Sequence, residues 1–243
     1  MSQSPFQYSG KLYLIPTTLG TSNPEEVLPA SIKRIFEKID HYIVENEKTA
    51  RRSIKQVDQE KNQSSLKLSL LNKYTDPAEL SNFLNPCKEG INVGLLSEAG
   101  CPGVADPGAE IVKLAHQIGI QVVPLVGPSS ILLAMMGSGM NGQSFTFNGY
   151  LPIDKKERKQ ELKTLERNSA ERNQAQLFIE TPYRNNNLLE DMKQILNPAT
   201  RLCIACDLTL PSEFILTKSI MDWDKTKVDL HKRPTIFIIQ KDI

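Results

Sequence analysis

Cysteine and histidine are scarce in this chain, which has four of the former and three of the latter among 243 residues. The cysteines are too few and too scattered for a disulfide framework in a chain of this size. Cys203 and Cys206 form a C-x-x-C pair, but they lie in a predicted strand, where residues three apart point to opposite faces. The histidines stand apart from one another, so no zinc-ligand spacing occurs. We therefore expect no metal site.

The chain also lacks an excess of charge of either sign, with 29 Lys and Arg against 28 Asp and Glu. Proteins that bind nucleic acid through their overall field are strongly basic. Any RNA contact must therefore come from a local basic patch.

Apolar runs of membrane length are missing too. Residues 117–153 contain no Asp, Glu, Lys or Arg, but prolines and glycines interrupt every run that approaches the roughly 20 residues a bilayer span needs. Residues 1–9 are polar and carry no targeting pattern, so we expect a cytoplasmic protein. No internal repeat or low-complexity tract interrupts the globular pattern.

The first half of the chain alternates strand and helix patterns. This alternation predicts a doubly wound, mostly parallel sheet with helices on both faces. The predicted strands cover residues 12–16, 41–44, 91–96 and 120–126, and the predicted helices cover residues 24–39, 76–83, 109–115 and 131–136.

The second half predicts a mixed α+β sheet, because strands follow one another there without intervening helices. We place the domain boundary so that residues 8–126 form an N-terminal α/β domain and residues 127–243 a C-terminal α+β domain. The predicted strands cover residues 144–148, 177–180, 201–207, 214–218 and 235–240, with a long charged helix after the first and a helix over 186–196 after the second.

Residues 97–108 pack three glycines and two prolines between a predicted strand and a predicted helix. In open α/β sheets, ligands bind beyond the carboxyl ends of the strands, and glycines let the backbone approach a ligand closely. The pattern is equally consistent with a ligand-binding loop and with a structural loop that ends in an Asp-Pro-Gly turn.

A second strand-to-helix entry follows at Gly127-Pro128-Ser129-Ser130, where the serines stand at the N-cap position. The chain also contains a G-x-G-x-x-G match, at Gly137, Gly139 and Gly142. It does not indicate a dinucleotide site, because a dinucleotide fingerprint follows a strand and opens a helix. There a helix precedes and a strand follows, which predicts a helix C-terminal turn.

Six segments in order give the chain a family resemblance. It resembles the tetrapyrrole methylase superfamily of S-adenosylmethionine-dependent methyltransferases, and most closely the branch that methylates a cytidine ribose of 16S ribosomal RNA at the 2′ hydroxyl. The segments are residues 12–20 (LYLIPTTLG), 45–49 (ENEKT), 97–108, 127–130, 147–152 (FNGYLP) and 177–184 (LFIETPYR).

The resemblance implies two α/β domains with the cofactor cleft between them, S-adenosylmethionine as methyl donor, and a homodimer. The uncharged segment 117–153 also favours a dimer, since it offers more apolar surface than one small domain readily buries. The implied cofactor-binding residues are Thr18, Leu19, Ser97, Glu98, Ala99, Val104, Ser129, Ser130, Phe178, Glu180, Thr181, Pro234 and Thr235.

Methyl transfer is an in-line displacement for which the protein chiefly aligns the reactants and excludes water. A hydroxyl acceptor also benefits from a general base, for which Glu45, Glu98 and Glu180 are the candidates. A basic stripe on the long charged helix is typical of a solvated helix face, but like charges four residues apart are mildly destabilising, which is evidence for phosphate contact. With it, the candidate RNA-binding residues are Lys48, Arg51, Lys155, Lys159, Lys163, Arg167 and Arg184.

The chain departs from the branch pattern mainly on the side of the acceptor. Glu98 replaces the usual Asp, Cys101 the usual Thr, and residues 46–48 change the Glu-Asp-Thr-Arg element, while residues 71–76 replace a polar element. Two alternatives to an RNA methyltransferase follow. One is methylation of a small tetrapyrrole-like acceptor, with Arg51, Arg52 and Arg184 facing its carboxylates, and the other is a non-catalytic cofactor-binding protein.

Overall fold

The computed structural model describes residues 5–72 and 74–242. The chain folds as two compact units, the first ending at Ser129 and the second beginning at Ser130. Within the described residues, no helix is both long and apolar enough to cross a bilayer.

The first unit is built on a five-stranded sheet in which every strand pair is parallel, in the order β3-β2-β4-β1-β5. This confirms the predicted doubly wound, parallel architecture. Its strands are β1 (Lys11–Ile15), β2 (His41–Val44), β3 (Lys67–Leu70), β4 (Val93–Leu96) and β5 (Gln121–Pro124).

Helices cover both faces of this sheet because neighbouring strand residues point to opposite sides. Tyr42 and Val44 pack in one core cluster with α2 and α3, whereas Ile43 packs in another with α5. The helices are α1 (Pro24–Val27), α2 (Ser31–Lys38), α3 (Glu47–Val57), α4 (Asn85–Lys88) and α5 (Gly108–Gln117), with a 3₁₀ helix at Pro77–Leu84.

The single helix predicted over residues 24–39 is wrong, because the structure has two helices there. Leu28 leaves the helical region with ψ of 136°. A residue that precedes proline is disfavoured in the α conformation, and Pro29 follows it. The helix predicted over 76–83 is a 3₁₀ helix capped by Asp76, whose side chain accepts from Ala78 N.

The second unit contains the predicted mixed sheet, and the structure arranges its five strands in the order β6-β7-β10-β8-β9. Only β6 and β7 pair in parallel, and the other three pairs are antiparallel. Its strands are β6 (Phe145–Tyr150), β7 (Ala175–Ile179), β8 (Arg201–Cys206), β9 (Phe214–Ser219) and β10 (Thr235–Gln240).

Four helices accompany this sheet: α6 (Ser130–Ser138), α7 (Lys155–Arg172), α8 (Asn185–Ile195) and α9 (Ile220–Trp223). The core contains Leu162, Phe178, Met192, Trp223 and Phe237, all buried. The glycine pattern after α6 is a helix end, as predicted, since Gly139 has a φ of +67° and lies just beyond Ser138.

Candidate functional site

In the first unit, the loops that follow the carboxyl ends of the parallel strands converge. The loop after β1 joins the loop after β4, because Thr17 N donates to Gly100 O at 3.0 Å and Thr17 Oγ1 donates to Ser97 O at 3.3 Å. Parallel strands place such loops at one sheet edge, where ligands of open α/β sheets bind.

Two candidate carboxylates meet at this edge. Glu45 follows β2, and its Oε1 accepts from Glu98 N at 3.3 Å. Glu98 follows β4, and its own Oε1 accepts from Thr49 Oγ1 at 2.5 Å. Burial is the main cause that raises the pKa of Glu45. The hydrogen bond from the Glu98 N–H lowers it by less than burial raises it, and the charges of Asp106 and Glu98 raise it further. Glu45 therefore holds a proton to higher pH than an ordinary glutamate.

Asn46 and Thr49 organise this corner, and our sequence analysis missed both roles. Asn46 is the N-cap of α3, and its Oδ1 accepts from Lys48 N at 2.9 Å and Thr49 N at 3.3 Å. The signal was an N-cap residue followed by apolar positions at Ala50 and Ile54, four residues apart.

The glycine-rich loop after β4 is held by Asp106. Its Oδ1 accepts from Gly103 N and Gly108 N, each at 2.8 Å, and burial raises its pKa despite those bonds. Gly103 has a φ of +81°, a conformation that glycine adopts without steric cost. Asp106 thus fixes the conformation of the loop, and its carboxylate is partly shielded from solvent.

Cys101 links the same loop to the loop after β5. Its Sγ lies 3.3 Å from Pro128 O and 3.7 Å from Gly127 O, and burial raises the pKa of the thiol. Gly127 packs so closely on Pro16 that an added Cβ would lie 2.3 Å from the proline side chain. A glycine is therefore required at position 127.

The structure brings together most of the predicted cofactor residues of the first unit. Ser97 Oγ bonds to Ala99 O and Gly100 O, and Leu19 lies beside Gly100. Thr18 Oγ1 donates to Gly20 O at 2.7 Å. Glu98, Ala99 and Val104 are exposed, while Ser129 is the last residue before α6. These residues lie on the loops after β1, β4 and β5.

In the second unit, the end of β7 lies beside the start of β10, with Ile179 paired to Ile236. Glu180, directly after β7, has a side chain that is only 1% exposed. Its Oε1 accepts from Thr181 N and Arg184 Nη2, both at 2.6 Å. Its Oε2 is buried and has no hydrogen-bond partner among the described residues.

Burial alone would raise the pKa of Glu180, but the Arg184 and Thr181 hydrogen bonds outweigh it and lower the pKa. The carboxylate is therefore charged at neutral pH with one oxygen available to a ligand donor. The other predicted residues here differ in accessibility. Pro234 is exposed, Thr235 Oγ1 donates to Arg233 O, and Phe178 is fully buried with its ring 6.1 Å from that of Phe237.

These features fit S-adenosylmethionine, which carries a sulfonium, an ammonium group, ribose hydroxyls and an adenine amine. All of these groups are cations or hydrogen-bond donors. Carboxylates pair with cations and accept hydrogen bonds from donors. The partnerless Glu180 Oε2 is the observation that tests this fit, because a buried carboxylate oxygen without a donor is costly. Within the described part of the chain, no group of three or more His, Cys, Asp or Glu side chains is placed to hold a metal.

The candidate RNA-binding residues are distributed over both units. Lys48 is exposed at the start of α3, and Arg51 Nη1 donates to Gln63 O at 2.6 Å. Arg184 is bonded to Glu180. The basic stripe, which we define as Lys155, Lys159, Lys163 and Arg167, lies along α7.

Curated relatives of this chain share one name. Ribosomal RNA small subunit methyltransferase I of Bacillus subtilis (strain 168) is 32% identical over 213 residues, which are 88% of this chain and 68% of that protein. The protein of the same name from Vibrio cholerae is 28% identical, over 84% of this chain and 67% of its own length. The protein of the same name from Escherichia coli O157:H7 is 25% identical, over 98% of this chain and 80% of its own length. No protein-family model matches the chain.

Solved structures share the fold at much lower sequence identity. The methyltransferase CobJ superposes with a TM-score of 0.64 at 16% identity, covering 96% of this chain and 95% of that one. The cobalt precorrin-4 methyltransferase CbiF gives a TM-score of 0.58 at 13% identity, covering 95% of this chain and 94% of that one. This confirms the predicted tetrapyrrole methylase-like architecture.

Proposed function

The chain belongs to the ribosomal RNA small subunit methyltransferase I family, and we infer that it transfers a methyl group from S-adenosylmethionine to RNA of the small ribosomal subunit. It is thus an S-adenosylmethionine-dependent methyltransferase. Because ribosomal RNA is the acceptor, we propose that it works in the cytoplasm with RNA or the assembling subunit as its partner.

The observation that carries this proposal is the corner formed by Glu45, Glu98 and Thr49 at the ligand-binding edge of the parallel sheet. Two carboxylates, one held by the Glu98 N–H and the other by the Thr49 hydroxyl, suit a reaction that must remove a proton from a hydroxyl. A site for adenosine alone would not need a carboxylate whose pKa is raised.

Each unit has its own candidate cofactor contacts. In the first unit they are the loops after β1 and β4, and in the second unit the candidate is Glu180. Bound there, S-adenosylmethionine supplies an electrophilic methyl carbon. The glycine-rich loop offers backbone groups at close range, and Glu180 Oε2 accepts a hydrogen bond from a cofactor donor. Leu19 and Val104 contribute apolar surface.

The residues of the chain have three tasks toward the acceptor. They align its hydroxyl, exclude water and accept its proton. We assign the last task to Glu45, since its raised pKa brings it closer to neutrality than a free glutamate. Thr49 and the Glu98 backbone hold the two carboxylates in place.

A small tetrapyrrole-like acceptor is less well supported. Such a compound needs several free cations to meet its carboxylates, yet Arg184, one of the three candidate arginines, is paired with Glu180. The low-identity structural neighbours support the fold only.

Nucleoside analysis of ribosomal RNA tests the function. We expect 16S RNA from a deletion strain to lack one 2′-O-methylated nucleoside, which the wild-type gene restores. Glu45→Gln should fail to restore it, because an amide cannot accept the proton. The matched control is Glu47→Gln, an exposed neighbour on α3, which should restore it fully. An unchanged nucleoside profile in the deletion strain would refute the RNA acceptor.

A further inference from the structure

Tyr183 presents an open aromatic ring beside the candidate site. Two thirds of the residue (67%) is exposed, although it lies three positions after the buried Glu180. The ring of His231 meets it edge-on, with centroids 5.8 Å apart and an interplanar angle of 79°. Lys232 Nζ lies 5.7 Å from the same centroid. The ring is thus flanked by two basic side chains.

The loop that carries the two basic residues is fixed in place. Lys232 N donates to Pro182 O at 3.0 Å, next to Tyr183 in the chain, and His231 N donates to Asp229 Oδ1 at 3.0 Å. Lys232 has a φ of +61°, which a residue with a side chain rarely adopts. The bonds around it maintain this conformation, so the basic side chains are positioned before any ligand arrives.

Fold topology places this cluster at the edge that carries Glu180. The end of β7 and the start of β10 are adjacent through the Ile179–Ile236 pair. Tyr150, 62% exposed at the end of β6, is paired with Ile179 and adds a second open ring at this edge.

Charge at the cluster favours an anionic ligand. Lys232 has no carboxylate within 4.0 Å among the described side chains, in contrast to Arg184, which is paired with Glu180. Asp229 is the nearest acidic group along the loop, and its Oδ1 is occupied by Asn186 Nδ2 and His231 N. The cationic charge of Lys232 is therefore available to a phosphate.

We propose that Tyr183, His231 and Lys232 form a stacking platform for a base of the acceptor RNA, with Lys232 at the adjoining phosphate. Single-stranded RNA is recognised by stacking of unpaired bases on aromatic rings with basic groups beside them. A duplex does not expose its base faces, so the platform selects an unpaired acceptor segment. The inference rests on the proposed function, because it names how the same site recognises its RNA.

Binding of a short fluorescent oligoribonucleotide tests the platform by anisotropy in the full-length protein. Tyr183→Ala should weaken single-strand binding about 5- to 150-fold, the range that loss of one stacked base produces. Tyr183→Phe should bind as the wild type does, because stacking needs only the ring. Tyr74→Ala, at an exposed tyrosine of the first unit, should also leave binding unchanged. The same sequence as a duplex should not distinguish Tyr183→Ala from wild type.

Two results would overturn the platform: wild-type affinity of Tyr183→Ala for the single strand, or a loss confined to S-adenosylmethionine in calorimetry, which would assign the ring to the cofactor adenine. Failure of the proposed function is distinguishable. If the deletion strain lacks no methylated nucleoside while Tyr183→Ala still weakens single-strand binding, the proposed acceptor is wrong, and Tyr183 binds single-stranded RNA that is not a methyl acceptor.

Discussion

At the scale of single residues, Glu180 and Glu45 show how environment separates two chemically identical side chains. Glu180 is buried but has Arg184 and the Thr181 N–H as partners, so its pKa is lowered and it stays charged. Glu45 is partly buried without a cation, so its pKa is raised. The first suits a fixed hydrogen-bond acceptor and the second a proton acceptor.

We predict that Glu180→Gln weakens S-adenosylmethionine binding about 10- to 150-fold, the value of a hydrogen bond to a charged group. An amide cannot offer oxygens to Arg184 and to a ligand donor at the same time. Because the pKa of Glu180 lies below its ordinary value, this residue should cause no loss of wild-type affinity as the pH falls from neutral to about 5.5.

Isothermal calorimetry measures both effects. Glu190→Gln is the matched control, since Glu190 is exposed on α8 and its ion pair among the described residues is with Lys193. Equal affinity of Glu180→Gln and wild type would remove Glu180 from the cofactor site.

The family resemblance named Glu45 and Glu98 separately as candidate bases. Both follow predicted strands, and a parallel sheet places the residues after its strands at one edge. The sequence could not supply the Thr49–Glu98 bond, which depends on side-chain conformation across 49 positions. Nor could it join Tyr183 to Lys232, since their contact arises only when β7 and β10 pair.

At the scale of elements, α7 is a helix with one side packed and the other basic. Arg158 and Asp191 form a buried ion pair, with Nε at 2.9 Å and Nη2 at 2.6 Å from Asp191 Oδ2. Glu166 accepts from Asn197 N and Thr200 Oγ1. These contacts orient the helix so that the basic stripe lies on its outer side.

The stripe itself is almost free of counter-charges. Lys155 Nζ lies 3.8 Å from Asp191, which is already bound by Arg158. In the described part of the chain, Lys159, Lys163 and Arg167 have no carboxylate within 4.0 Å. The side chains of Lys155, Lys159 and Lys163 lie side by side along α7.

We predict that replacing all four stripe residues with glutamine weakens RNA binding without regard to sequence. The slope of log affinity against log salt should flatten by roughly 0.7 to 0.9 per lost phosphate contact. Binding of S-adenosylmethionine should not change. Titrations at several salt concentrations measure the slope.

The control removes the same charge from exposed positions of the first unit, namely Lys33, Arg34, Lys38 and Lys55. If the slope of log affinity against log salt flattens by the same amount in this variant and in the stripe variant, the stripe is an ordinary solvated helix face.

The long charged helix was predicted from the sequence, whereas two shorter elements, β3 and α3, were missed. The long helix over residues 155–172 follows from Asp154 as N-cap and from buried Leu162 and Leu165. β3 was missed although its sequence, KLSL, alternates polar and apolar residues as a strand does. The alternation covers only four residues, and none of them is buried in the structure. α3 buries only Ala50 and Ile54, too few for a clear helical period.

At the scale of the whole molecule, the uncharged segment 117–153 is only partly used by the core. In α6, Ala134 and Met135 are buried, while Leu132 and Met136 are 54% and 79% exposed. Residues four apart lie on one helix face. Because the chain carries nearly equal numbers of positive and negative charges, two copies repel each other little. Net charge therefore does not prevent this apolar face from pairing with a second copy.

We predict that the protein is a homodimer that buries this face of α6, an expectation that also follows from the family resemblance. Light scattering should give twice the 27.2 kDa chain mass. Leu132→Glu with Met136→Glu should yield monomers, because a carboxylate buried at a two-fold interface faces its own copy. Met221→Glu, at another exposed apolar residue of the second unit, should remain dimeric. A wild-type mass of one chain at micromolar concentration would contradict the dimer, and a dimeric double variant would move the interface to another surface.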